Sequence, residues 1–112
     1  MEIAHRQVGD VTVLDLSGKI TSTYSNGRLK EKVTALVAEG HKKVALNLSG
    51  VPFVDSSGLG ETVACYTTAK GKGGEVKLVG ATARLKDLLV MTKLVTVFDS
   101  YDTLDEAIAA FK

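Results

Sequence analysis

Disulfide-forming cysteine, an excess of charge of one sign and long apolar runs are all missing from this chain, and each absence removes a class of protein. The single cysteine, Cys65, permits no intramolecular disulfide, which fits a reducing compartment and excludes a disulfide-stapled scaffold. Lys+Arg 14 against Asp+Glu 13 leaves a formal net charge of +1. That balance supplies no general field for drawing in DNA, RNA or an anionic membrane. No apolar stretch approaches the roughly 20 residues needed to cross a bilayer. Met1 is followed by Glu2 and His5 rather than by the apolar run of a signal peptide. His5 and His41 lie far apart, with no Cys or carboxylate cluster at ligand spacing, so neither a metal nor a cofactor is expected. What remains is 112 residues, 45% hydrophobic and 24% charged, the composition of an ordinary globular domain. One domain over residues 1–112 is expected, cytoplasmic, without direct contact to nucleic acid or membrane.

Hydrophobic spacing alternates between periods of two and of 3.6. Val11, Val13 and the Leu14–Leu16 pair follow a Gly9-Asp10 turn, which predicts a hairpin with residues 2–8. Leu29, Val33, Leu36 and Val37 form one helical stripe, beginning near Ser25 with a Ser or Asn cap and ending at Gly40. Val44, Leu46 and Leu48 alternate as a strand that runs on through Val51, Phe53 and Val54. Residues 56–70 read as a helix with Leu59, Val63, Tyr66 and Thr67 on its packed side, stopped by Gly71-Lys72-Gly73-Gly74. Val76 and Leu78 mark a short strand, and Leu85, Leu88, Leu89 and Thr92 a third helix. Leu94 to Phe98 read as a last strand, Tyr101-Asp102 as a cap region, and Leu104, Ala107, Ile108 and Phe111 as a final helix. The order β-β-α-β-α-β-α-β-α predicts an α/β fold with a mixed, mostly parallel sheet of about four to five strands and about four helices.

Chemistry concentrates in Val51-Pro-Phe-Val-Asp55-Ser56-Ser57-Gly58-Leu59-Gly60, where an apolar strand gives way to small polar residues opening a helix. Sites in open α/β sheets gather at the carboxyl ends of strands. Asp or Ser at a helix start also reads simply as an N-cap, worth about 1 kcal/mol. The glycines resist that reading alone, because each costs about 1 kcal/mol relative to Ala inside a helix. Two in one turn imply that something approaches the backbone. Enzyme motifs do not fit: Val54 and Asp55 stand where a nucleophile elbow would need glycine before Ser56 or Ser57. The Gly-x-x-x-x-Gly-Lys-Ser/Thr phosphate loop is absent too. Cys65, inside a helix, reads as a small buried hydrophobe rather than a redox centre.

Four segments in order resemble the STAS domains (sulfate transporter and anti-sigma factor antagonist), specifically the free-standing bacterial anti-sigma factor antagonists. Asp55-Ser56-Ser57-Gly58-Leu59-Gly60 is similar to the family signature D-S-[ST]-G-L-G. Leu16-Ser17-Gly18-Lys19-Ile20, Gly73 to Leu78, and Leu88 through Leu94 to Phe98 resemble three further family stretches. The resemblance implies a non-enzymatic transcription regulator, monomeric or weakly dimeric. Its unphosphorylated form would bind an anti-sigma factor that is also a serine kinase, freeing the sigma factor. Phosphorylation of Ser56 would switch binding off, and a serine phosphatase would reset it. Partner contacts would come from Asp55, Ser56, Ser57, Gly58, Leu59 and Gly60, with Thr21, Ser22 and Thr23 alongside. Many family members carry an aspartate where this chain has Thr21, and the loop here is rich in hydroxyls. The other expectation the resemblance carries is a phosphorylation-independent scaffold or accessory subunit of a stress-signalling or transport complex.

Overall fold

A computed structural model describes residues 2–21, 27–93 and 98–111. Their elements follow in the order β1 (Glu2–Val8), β2 (Val11–Ser17), α1 (Arg28–Ala38), β3 (Lys43–Gly50), α2 (Ser56–Gly71), β4 (Glu75–Val79), α3 (Ala83–Met91), β5 (Ser100–Tyr101) and α4 (Leu104–Ala110). Among the described residues the strands form a 5-stranded sheet in the order β1-β2-β3-β4-β5. β1 and β2 pair antiparallel across the Gly9-Asp10 turn, and every later pairing is parallel. The expected α/β fold is the one found.

Strand order rises steadily across the sheet, so the three parallel crossovers all step the same way. A common crossover hand then places α1, α2 and α3 on one face. The core follows that division. Leu14, Leu16, Leu46, Leu48 and Leu78 project from the strands into one apolar cluster with Leu29, Val33 and Val37 of α1, Cys65 and Ala69 of α2, and Leu85 and Leu89 of α3. Each fully buried Val, Leu or Ile of this kind contributes about 1.5–3 kcal/mol. On the opposite face Val11, Val13, Ala45 and Val79 meet Ala107 and Phe111, with Leu104 and Ile108 packed around them. One short helix, α4, thus covers the second face.

Several local expectations move. β3 ends at Gly50, and the chain beyond it rejoins the sheet only at Val54, which bridges Ile20 in parallel. α2 buries Gly58, Leu59, Thr62, Cys65 and Ala69, while Val63 and Tyr66 are only partly buried and Thr67 is exposed. Small residues lie against the sheet and larger ones flank them, because the helix runs close to its neighbours. α1 starts from Gly27, which has φ 81 and makes no side-chain cap, rather than from a Ser or Asn cap near Ser25. The last described strand is Ser100–Tyr101, paired with Leu78 and Val79. Leu94 to Val97 lie outside the described residues, and Phe98 is buried, edge-on to Tyr66 at 5.4 Å. Tyr101 is therefore a strand residue, and Thr103 caps α4 by accepting from the Glu106 N–H.

β5 and α4 are held by a buried lysine. Lys77 donates to Asp99 at 2.9 Å, and its ammonium lies 5.7 Å from the Tyr101 ring centroid and 5.2 Å from that of Phe111. Burial pulls the lysine pKa down, but the hydrogen bond and charge of Asp99, with Tyr101 and Glu75 adding, outweigh it and hold it above the ordinary 10.5. A group whose folded pKa is raised contributes stability that is intact below its unfolded value and lost as pH climbs through the folded one. Wild type is therefore expected to lose stability above about pH 10.5, and Lys77→Met to lack that component. Near neutrality, Asp99→Ala removes the ammonium's hydrogen-bonded carboxylate and leaves it Glu75 at 3.9 Å, and is expected to cost about 1–3 kcal/mol. Lys77→Met keeps the packed stem and is expected to cost less, about 1 kcal/mol. Urea midpoints measured from pH 7 to 11 check both expectations.

Candidate functional site

α2 begins in a cap made by one side chain. Asp55 is extended at φ -90 and ψ -177, and its carboxylate accepts the Gly58 N–H at 2.7 Å while its carbonyl accepts from Leu59 at 2.8 Å. A carboxylate on the positive end of a helix gains from both the hydrogen bond and the dipole, together on the order of 1–2 kcal/mol. Because Asp55 does the capping, Ser56 and Ser57 are spare. Both are exposed, in the first turn of α2. A group added to either oxygen would stand in solvent at a helix start, where negative charge is favoured.

Gly58 shows what the first glycine is for. A Cβ there would lie 1.8 Å from the Ile20 carbonyl oxygen and 2.6 Å from its carbon, so no side chain fits. The approach comes from within the chain: the segment after β2 runs directly beneath α2. Gly18 donates to Gly50 at 3.0 Å, Ile20 donates to Phe53 at 3.0 Å, and Asp55 donates back to Ile20 at 3.3 Å. Thr62 completes the turn by donating its hydroxyl to the Gly58 carbonyl at 2.9 Å. Gly60 differs, since a Cβ there would meet nothing within 4 Å.

One residue that sequence reading passed over joins this constellation. Glu61 of α2 accepts the N–H groups of Gly27, Leu29 and Lys30 at 3.3, 2.8 and 3.1 Å. It takes the place of the missing cap of α1, whose first N–H groups have no partner within their own helix. The sequence signal for it was indirect: no capping side chain directly before Arg28, and a lone carboxylate in a helix otherwise built from small and apolar residues near its start. Four positions on, burial pushes the Cys65 thiol up to about 12, with the Glu61 charge adding, so it stays protonated at neutral pH.

The predicted contact residues thus divide. Ser56, Ser57 and Gly60 are exposed and Asp55 is half-buried, all on one turn. Gly58 and Leu59 face inward, Gly58 under the Ile20 carbonyl and Leu59, 6% exposed, in the main core. Leu59, placed by its spacing on the packed side of α2, is buried there between helix and sheet. Thr21 is also buried, at 8% exposure, since Ile20 and its neighbours are tucked against the 53–55 segment. Its place beside the start of α2 is as expected, but its surface is small. Ser22 and Thr23 lie outside the described residues.

The two glycines should respond oppositely to the same change. Gly58→Ala is expected to destabilise by at least about 2 kcal/mol, the scale of a forced overpacking. Gly60→Ala has room and removes a helical glycine, so it should stabilise by about 0.5–1 kcal/mol. Chemical denaturation of the two variants checks the contrast, and equal effects would contradict it.

Comparison with known proteins agrees with this geometry. A family model of the STAS domain matches residues 2–107. The anti-sigma-B factor antagonist of Bacillus subtilis is 33% identical over 86 residues, 77% of either chain. The crystal structure of an anti-sigma factor antagonist from Mycobacterium paratuberculosis superposes with a TM-score of 0.85 at 28% identity, covering 97% of this chain and 92% of that one. The Bacillus cell fate determinant SpoIIAA, solved in its phosphorylated form, shares the fold at a TM-score of 0.76 and 18% identity, covering 99% of this chain and 100% of that one. With a family model matching residues 2–107, the chain belongs to the STAS domain family.

Proposed function

We propose that this protein is an anti-sigma factor antagonist, a binding protein rather than an enzyme, whose partner is an anti-sigma factor. The observation that supports it most is the exposed Ser56–Ser57 pair at a helix start already capped by Asp55, on the fold of relatives that carry that name. In this reading the partner is also a serine kinase, Ser56 is the residue it phosphorylates, and a serine phosphatase reverses the change. Asp55, Ser56, Ser57 and Gly60 form the contact strip, with Thr21 beside it. Gly58 and Leu59 serve the strip from within by letting the backbone sit low on the sheet.

The switch needs no change of fold. A phosphate brings about −1.5 to −2 charges, more than enough to reverse the sign of a domain that starts at +1. The N-terminal dipole of α2 offsets part of that charge by about 0.3–1 kcal/mol, while the adjacent Asp55 carboxylate opposes it. The folded domain therefore tolerates the modification. A docked partner does not, because a desolvated like-charge contact costs several kcal/mol and each 1.4 kcal/mol is about tenfold in affinity. Gly60, with open space where a Cβ would go, leaves room for partner backbone.

Incubation with the anti-sigma kinase of the same genome and ATP tests this directly. Mass spectrometry should place phosphate on Ser56, and calorimetry should show the phosphorylated form binding at least tenfold more weakly. Ser56→Ala should bind as wild type and take up no phosphate. Phosphate on another residue, or equal affinity of the two forms, would overturn the switch and leave a phosphorylation-independent scaffold in its place.

A further inference from the structure

The chain on both sides of residues 22–26 is fastened to the start of α2 and the residues just before it. On the way in, the Ile20 carbonyl accepts from the Asp55 N–H at 3.3 Å and lies over Gly58, while the Ile20 N–H donates to Phe53 at 3.0 Å. On the way out, the N–H groups of Gly27, Leu29 and Lys30 all donate to the Glu61 carboxylate. Gly58 and Glu61 are three residues apart, so the two fastenings stand about one helical turn from each other. The first is backbone packed on backbone. The second is carried by one side chain, and no side chain of Gly27 replaces it. Several backbone N–H groups converging on one carboxylate make a charge-assisted contact, shorter and stronger than a neutral one.

We propose that Glu61 is a positioning residue for the docking surface. It locks the first turn of α1 to α2, so that the exit of the β2–α1 connection keeps a fixed register with the exposed Ser56, Ser57 and Gly60. Residues 27–30 and the exposed positions of the α2 start then present one surface, already in register before a partner arrives. Preorganisation of this kind raises affinity by removing the ordering cost at the moment of binding. Glu61 itself touches no partner in this arrangement. The proposal rests on the docking reading above, and its test separates the two.

Glu61→Ala, Glu61→Gln and a control, Val33→Ala, distinguish positioning from stability. Val33 is fully buried in the main core from α1 and takes no part in the Glu61 hydrogen bonds, so Val33→Ala controls for packing lost without that attachment. Amide hydrogen exchange at Leu29 and Lys30, read by nitrogen-15 NMR, should speed at least tenfold in Glu61→Ala relative to Val33→Ala. Affinity for the anti-sigma factor, read by calorimetry, should fall about tenfold more in Glu61→Ala than in the control. Glu61→Gln keeps one oxygen as acceptor and should recover most of both. Unchanged exchange at Leu29 and Lys30, or a loss of affinity no larger than in Val33→Ala, overturns the proposal. If wild type binds no anti-sigma factor while exchange rises as expected, the docking reading fails and the attachment of α1 to α2 through Glu61 stands.

Discussion

The carbonyl oxygen of Ile20 occupies the volume that any side chain on residue 58 would need, and the rest of the site is arranged around that contact. Because residue 58 is glycine, the segment after β2 can pass directly beneath α2 and pair with Phe53, Val54 and Asp55. Because that segment is there, Asp55 is held extended at the end of the apolar stretch, where its carboxylate caps the helix. Because Asp55 caps, the serines that follow it are left to solvent. A backbone contact buried inside the fold thereby decides which hydroxyls face outward.

Cost and function separate along the same turn. Gly58 is required by the chain itself, and Leu59 and Thr62 anchor the turn inward. Gly60 is exposed, and a Cβ there would meet nothing within 4 Å among the described residues. The cap, the dipole and the Glu61 attachment are each modest in energy, about 1 kcal/mol apiece. Together they leave a rigid strip of small residues on which a single charge can act. Little elaboration is needed: against a near-neutral domain, one phosphate is a large electrostatic event.

Much of this was legible in the residues. Alternating Val44, Leu46 and Leu48 and the spaced Leu29, Val33, Leu36 and Val37 announce a strand and a helix because large apolar side chains report the face they bury. The signature Asp55 to Gly60 announced a helix start and a close approach. Where small residues do the packing, that reporting is incomplete: α2 turns Gly58, Thr62 and Ala69 inward with Leu59, while Val63 and Tyr66 pack against the cluster half-buried and Thr67 is exposed. Long-range satisfaction of backbone groups is invisible in the same way. Nothing local to Glu61 says that it serves the N–H groups of another helix more than thirty residues earlier. Thr21 was set beside the start of α2 by the family resemblance, while its burial depended on the parallel pairing of Ile20 with Val54.

The central claim is that charge at the start of α2 acts through the surface without altering the fold that carries it. Backbone amide spectra of the unmodified and Ser56-phosphorylated protein, compared residue by residue, test it most directly. The account predicts chemical-shift changes confined to residues 20–21, 27–30 and 55–61, with the strands of the sheet and α4 unmoved. Changes spreading into β4, β5 and α4, or a loss of dispersion across the spectrum, would contradict it.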